Sequence, residues 1–252
     1  MRPNYDVKRL NALTRYPTVP SYHVPDAQGR PTLQVKVSFA HEPQLIISEK
    51  IAGHSIRVIL TKDGYFLGNK TEILAWHEEI DEQPMHPILN GMRMTANHIF
   101  QSYSPKDEGI KVFFGVFFGG SSHPHAKQYT GGDYQLNSFK LSDGFSLPAN
   151  EFTTLYNSTA EQIGEWRESN QQPFYTETSL LGFGIPVNPR LRSSAPPVHV
   201  AATLAWMQHT LPKSKACLSY LAPGKPNGIL IRTPNRSKIA KLSFAEYEKF
   251  LK

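Results

Sequence analysis

A single cysteine, Cys217, is present among 252 residues. One thiol can form neither an intrachain disulfide nor a thiolate metal cluster, which excludes disulfide stapling and Cys-based zinc binding. Such usage suits a reducing compartment. Long apolar runs are also missing; none approaches the ~18 residues that a membrane span needs. The start, Met1-Arg2-Pro3-Asn4-Tyr5-Asp6, lacks the apolar core of a signal peptide. A cytoplasmic protein without membrane association is expected, or a viral one made in a host cytosol. Acidic residues are in deficit, 21 against 27 Lys and Arg, for a formal net charge of +6. That excess suits a polyanion such as nucleic acid or nucleotide phosphate, and equally suits a merely soluble basic surface. Repeats and low-complexity tracts are absent as well.

The length is enough to bury a full core. Residues 1–32 hold Pro17, Pro20, Pro25 and Pro31 with little periodicity, which predicts an extended N-terminal arm. Residues 33–252 are expected to form one domain. Leu33 to Phe39 alternates as a half-buried strand does. Asp63-Gly64 between two apolar runs signals a hairpin. Short helices are predicted over 72–79, with Thr71 as cap, and over 97–103. Lys111 to Gly119 reads as an aromatic strand in the sheet interior. Residues 149–168 read as a helix capped by Asn150 or Thr153, 170–197 as irregular, and 198–209 as a buried helix. A strand over 228–232 and a closing helix over 244–251, led by the capping box Ser243-Phe244-Ala245-Glu246, complete the pattern. The fold class expected is α+β, with antiparallel sheets and peripheral helices.

Between Leu45 and Thr61 lies the stretch that carries chemistry. Lys50 follows an apolar run and precedes Gly53, a residue type that lets another backbone approach closely. A lysine so placed is either a solvated strand-end residue or, where burial or a neighbouring cation lowers its pKa, a covalent nucleophile. His123 and His125 follow Gly119-Gly120-Ser121-Ser122. No cysteine or clustered carboxylate completes a ligand set around them, so a loop at a pocket rim is the reading there, and no metal ligand is assigned.

The run Glu49-Lys50-Ile51-Ala52-Gly53 resembles the nucleotidyl-acceptor motif of ATP-dependent RNA ligases, in the covalent nucleotidyltransferase superfamily. Further segments resemble that family's later motifs in order: Val112 to Gly120, Tyr134 to Phe139, Asn227-Gly228-Ile229-Leu230-Ile231-Arg232, and Lys238-Ile239-Ala240-Lys241-Leu242. The resemblance implies the ligase adenylation-domain fold. It also implies ATP and Mg²⁺ as cofactors and nucleic-acid ends as substrate, RNA rather than DNA. Lys50 would attack the α-phosphorus of ATP to form a lysine–AMP intermediate. Glu49, Ile51, Gly53, Arg57, Lys70, Phe117, Arg232, Lys238 and Lys241 would form the nucleotide site around it. Within that set Lys238 or Lys241 would meet the α-phosphate, Arg57 and Lys70 the ribose or incoming phosphate, and Phe117 or Phe118 the base. For both phenylalanines a place in the strand core is an equal reading.

The sequence departs from the family pattern where carboxylates are expected: Val116, Ser138 and Asn227 stand at those positions. Valine ligates nothing and asparagine ligates without charge. Asp107, Glu108, Asp133 and Asp143 are the acids that could substitute in space. Two readings follow: a ligase-like nucleotidyltransferase, or a catalytically degenerate ligase-fold protein that binds nucleotide or RNA or serves a structural role. The chain ends shortly after the last motif, which leaves nucleic-acid binding to the cleft surface or to a partner protein.

Overall fold

The computed structural model describes residues 4–16, 18–82, 86–120, 123–159, 161–163, 165, 190–192, 194–234 and 237–250. Five antiparallel strands form the larger sheet in the order β6-β5-β4-β7-β8: β4 (His54–Leu60), β5 (Tyr65–Gly68), β6 (Ile73–Trp76), β7 (Ile110–Gly119) and β8 (Asn137–Leu147). Four more make a second antiparallel sheet, β11-β10-β3-β9: β3 (Leu45–Lys50), β9 (Arg190–Arg192), β10 (Gly228–Arg232) and β11 (Ile239–Ser243). A small hairpin pairs β1 (His23–Pro25) with β2 (Pro31–Val35). This is the expected α+β architecture of antiparallel sheets with helices at the periphery. No helix among the described residues is long and apolar enough to cross a membrane.

Strand alternation sends each side chain to one of several cores. On one face of the larger sheet Val58, Leu60, Phe113 and Phe117 pack under α2 (Pro87–Tyr103) through Leu89, Met92, Ala96 and Ile99. On the other, Ile59, Val112, Phe114 and Phe145 pack against α1 (Val7–Thr14) and α4 (Ala149–Asn157). The smaller sheet buries Leu45, Ile47, Ile229, Ile231, Ala240 and Leu242 against α5 (Val200–Thr210) and α6 (Phe244–Phe250). A minor core joins Ile51, Ala52 and Phe118 to Tyr129 of the short α3 (Lys127–Thr130).

Several local expectations are corrected. The N-terminal arm is not simply extended: Asp6 caps α1 by accepting from the amides of Lys8 and Arg9, and Leu10 and Leu13 are buried. A short helix does not form over 72–79. Ile73 to Trp76 pairs with β5 instead, because the sheet buries Ala75 and Trp76; a 3₁₀ turn follows over His77–Glu82. Asn69, not Thr71, organises the turn between β5 and β6, its side chain accepting from the amides of Thr71 and Glu72. The strand read over 33–39 is Pro31–Val35. The helix read from 97 starts at Pro87, capped by His86. The helix from 149 stops at Asn157, where Ser158 turns extended, and neither Asn150 nor Thr153 caps it. Most of the irregular segment 170–197 lies outside the described residues.

The hairpin at Asp63-Gly64 forms as expected, with Leu60 opposite Tyr65. The strand at 228–232 also agrees in both its bounds.

Candidate functional site

A cavity of about 490 Å³ opens between the two sheets. Its walls are β3, β10 and β11 on one side and β4, β7 and β8 on the other. Period-two alternation explains which side chains reach it. On β3, Leu45 and Ile47 face the α5/α6 core, so Ile46, Ser48 and Lys50 face the cavity. On β11, Ala240 and Leu242 are buried, which leaves Lys241 on the cavity side.

Lys50 ends β3 opposite Gly228, the first residue of β10. Its ammonium donates to Oδ1 of the preceding Asn227 at 2.9 Å. Burial, then the nearby charge of Lys241, pushes the Lys50 amine below its ordinary pKa, against an opposing pull from Glu246. Gly53 has a steric reason: a Cβ there would stand 2.4 Å from the Phe117 carbonyl oxygen and 2.7 Å from Val116 Cγ1. The link between the two sheets therefore lies directly on β7. Gly228 is equally tight, since a Cβ would stand 2.2 Å from the Leu242 oxygen.

The remaining sequence-nominated residues divide. Ile51, Gly53, Arg57, Lys70, Arg232 and Lys241 line the cavity with Lys50. Arg57 is buried, and its guanidinium donates to the Asn11 carbonyl at 3.3 Å and to Thr14 Oγ1 at 3.2 Å, with a further bond to the Asn11 side chain. That places it as a tie to α1. Glu49 borders the cavity, but both its carboxylate oxygens face away from Lys50. They accept from the Ser214 hydroxyl at 2.6 Å and the Lys215 amide at 2.8 Å.

Two nominations are corrected. Phe117 is a core residue: its ring packs on Gly91 of α2, where a Cβ would come within 2.4 Å of it. Lys238 precedes β11 and pairs with Glu42, outside the cavity lining. Phe118 is likewise buried, edge-on to Tyr129.

Sequence reading missed Lys140. It lies on β8 directly opposite Val116, lines the cavity, and is half-buried, with its amine pushed below the ordinary lysine range by burial. A lone charge between Phe139 and Leu141 was the available signal. His123 and His125 both line the cavity, as a loop at the rim should. His123 contacts the rings of His54 and His125, and burial plus these neighbours lowers its pKa.

The lining thus includes six Lys and Arg side chains and, among the described residues, one carboxylate, Glu49. Phosphate anions suit such a lining, and Ile46, Ile56, Leu141 and Leu230 offer apolar surface beside it. A resident Mg²⁺ does not fit. It needs oxygen ligands, preferably carboxylates, and Glu49 is committed elsewhere. Among the acids that could substitute, Asp107 accepts from the Gly109 amide, Glu108 pairs with Lys62, and Asp133 accepts from the Gln135 amide. None of these three lines the cavity; the Asp143 side chain lies outside the described residues. No group of three or more His, Cys, Asp or Glu suited to a metal occurs among the described residues.

The fold is similar to that of Naegleria gruberi RNA ligase. A ligand-free variant of that enzyme superposes with a TM-score of 0.50 at 14% identity, over 93% of this chain and 63% of the other. A variant solved with ATP and Mn gives a TM-score of 0.49 at 14% identity, over 94% of this chain and 62% of the other. The chain thus spans less than two thirds of the length of these neighbours. No protein-family model matches it, and no curated protein matches it. The likeness shows an RNA ligase-like fold.

Proposed function

We propose that the chain is an ATP-dependent, RNA ligase-like nucleotidyltransferase with Lys50 as the covalent nucleotide acceptor. The observation that carries this reading is the Lys50 amine, half-buried in a cationic cleft, aimed into it by Asn227, and pushed below its ordinary pKa. A neutral amine has the lone pair that attack on phosphorus requires. The Lys50 Nζ forms a bond to the α-phosphorus of ATP, the bond from that phosphorus to the bridging oxygen breaks, and pyrophosphate leaves. The nitrogen loses its proton to solvent, and lysine–AMP results. Transfer of AMP to a nucleic-acid 5′-phosphate and sealing by a 3′-hydroxyl would follow, RNA being the favoured substrate. Catalysis of each step is mainly positioning and charge neutralisation, which Lys241, Arg232 and Lys70 of the cavity lining would supply. The surface around the cleft or a partner protein would supply grip on the nucleic acid, and a cytoplasmic setting suits the free thiol.

The second reading, nucleotide or RNA binding without turnover, is favoured by Val116 and Asn227, which line the cavity where the family pattern has carboxylates. Incubation with α-labelled ATP, in Mg²⁺, Mn²⁺ or EDTA, followed by denaturing electrophoresis, separates the two. Label that survives denaturation and disappears in Lys50→Ala supports the enzyme. An unlabelled, folded chain under all three conditions removes it.

A further inference from the structure

The cleft gathers like charges at a cost. Lys50 and Lys140 are both half-buried, and the charge of Lys241 bears on the Lys50 amine. Desolvated cations side by side are unfavourable by themselves. Arg57 has protein acceptors on α1, and Glu49, the one described carboxylate of the lining, is held by Ser214 and Lys215. Three strands of the smaller sheet supply Lys50, Arg232 and Lys241, the turn after β5 supplies Lys70, and β8 supplies Lys140 from the opposite wall. A polyphosphate has charge of opposite sign and comparable size. A divalent cation bound to it would cancel much of that charge and set a hydrated cation against ammonium groups, with no free described carboxylate to receive it.

We propose that this cleft takes the polyphosphate of its ligand as the metal-free anion, with lysine and arginine side chains in place of a divalent cation, and that Lys140 is one of the groups that hold it. The proposal rests on the nucleotide-site reading and adds to it the ionic form of the ligand. Lys140 lines the same cavity as Lys50 from the other sheet, with Glu49 and Lys215 as its charged neighbours. Beside it on β7 stands Val116, which brings neither charge nor ligand atom. The wall opposite the acceptor lysine is thereby cationic, a suitable surface for phosphate oxygens and a poor one for a metal ion.

Calorimetric titration of the full chain with ATP and, separately, inorganic tripolyphosphate, each in EDTA and in excess Mg²⁺, tests this. Both ligands are expected to bind in EDTA, and Mg²⁺ should weaken each by about threefold or more through charge cancellation. Lys140→Gln should weaken binding in EDTA roughly tenfold, the loss of one charge-assisted contact, while Lys140→Arg retains it. Matching thermal unfolding curves for the variants guard against misfolding. Tripolyphosphate binding in EDTA as tightly as ATP supports the metal-free anion site and shows that the nucleoside adds nothing to binding, which counts against the nucleotide reading alone. ATP binding that requires Mg²⁺, or tightens with it, overturns the proposal and leaves the nucleotide reading intact. No binding of either ligand in EDTA also overturns it.

Discussion

The Lys50 ammonium donates to the side-chain oxygen of Asn227 at 2.9 Å, a contact made by register: β3 ends at Lys50 where β10 begins at Gly228. A neutral partner orients the amine and stabilises its charge less than a carboxylate would. Asn227→Asp would place an anion there and favour the ammonium. The expected outcome is an alkaline shift of the pH profile for self-nucleotidylation. The neutral amine reacts, so activity rises with pH through the Lys50 pKa, and raising that pKa moves the rise upward. A profile that does not move would show that Lys50 ionisation does not set the rate.

Lys241 and Lys238 give a paired prediction. Lys241→Ala removes a cation that lowers the Lys50 pKa, so its profile should also move upward and its label at neutral pH should fall. Lys238→Ala breaks only the pair with Glu42. A partly exposed ion pair of this kind contributes about 1 kcal/mol or less, and labelling should equal that of the parent chain. Label yield in both variants at one pH, with urea unfolding, decides this.

Gly53→Ala forces a methyl group against the Phe117 carbonyl and Val116. Backbone cannot yield as a flexible side chain can, and a cost of about 1–3 kcal/mol or more is expected. At roughly 2–4 °C per kcal/mol for a chain of this size, thermal unfolding will read it.

Glu49→Gln weakens the acceptor held by the Ser214 hydroxyl and the Lys215 amide. Hydrogen bonds to a charged group contribute about 1.5–3 kcal/mol each. Faster amide exchange at Lys215 is expected, with label still on Lys50. Loss of label without faster exchange would instead place Glu49 against the nucleotide.

Asn11→Ala removes one side-chain acceptor of the buried Arg57 guanidinium. A destabilisation of about 1–3 kcal/mol is expected, with quicker tryptic cleavage at Arg15 as α1 loosens. Unchanged urea unfolding would rule out Asn11 as an anchor of α1.

Local pattern was legible where one physical preference acted alone. Gly228 to Arg232 reads as a strand because it is short, β-branched and bounded, and the hairpin at Asp63-Gly64 because turn chemistry dominates there. Ile73 to Trp76 misled because a run of four apolar residues is too short to show either period, and pairing with β5 chose strand. Phe113 to Phe118 is aromatic on both faces, so no alternation tells which ring meets the cleft; packing under α2 assigns Phe117 to the core. Glu49 and Lys50 were nominated together, yet adjacent strand residues point to opposite faces. Lys238 and Lys241 are separated by an odd step across a strand boundary, and only Lys241 faces the cavity.

The sequence by itself determined the α+β pattern, the acceptor-like lysine with its glycine, and the excess of positive charge, because these depend on neighbours in the chain. Tertiary structure alone decided the composition of the cleft. It turned Arg57 to α1 and Glu49 to the Ser214 loop, took Phe117 into the core, and brought Lys140 of β8 to the cavity that Lys50 of β3 also lines. Those assignments depend on strand register and on which sheet faces which, and both are set by burial of distant apolar residues that no local window contains.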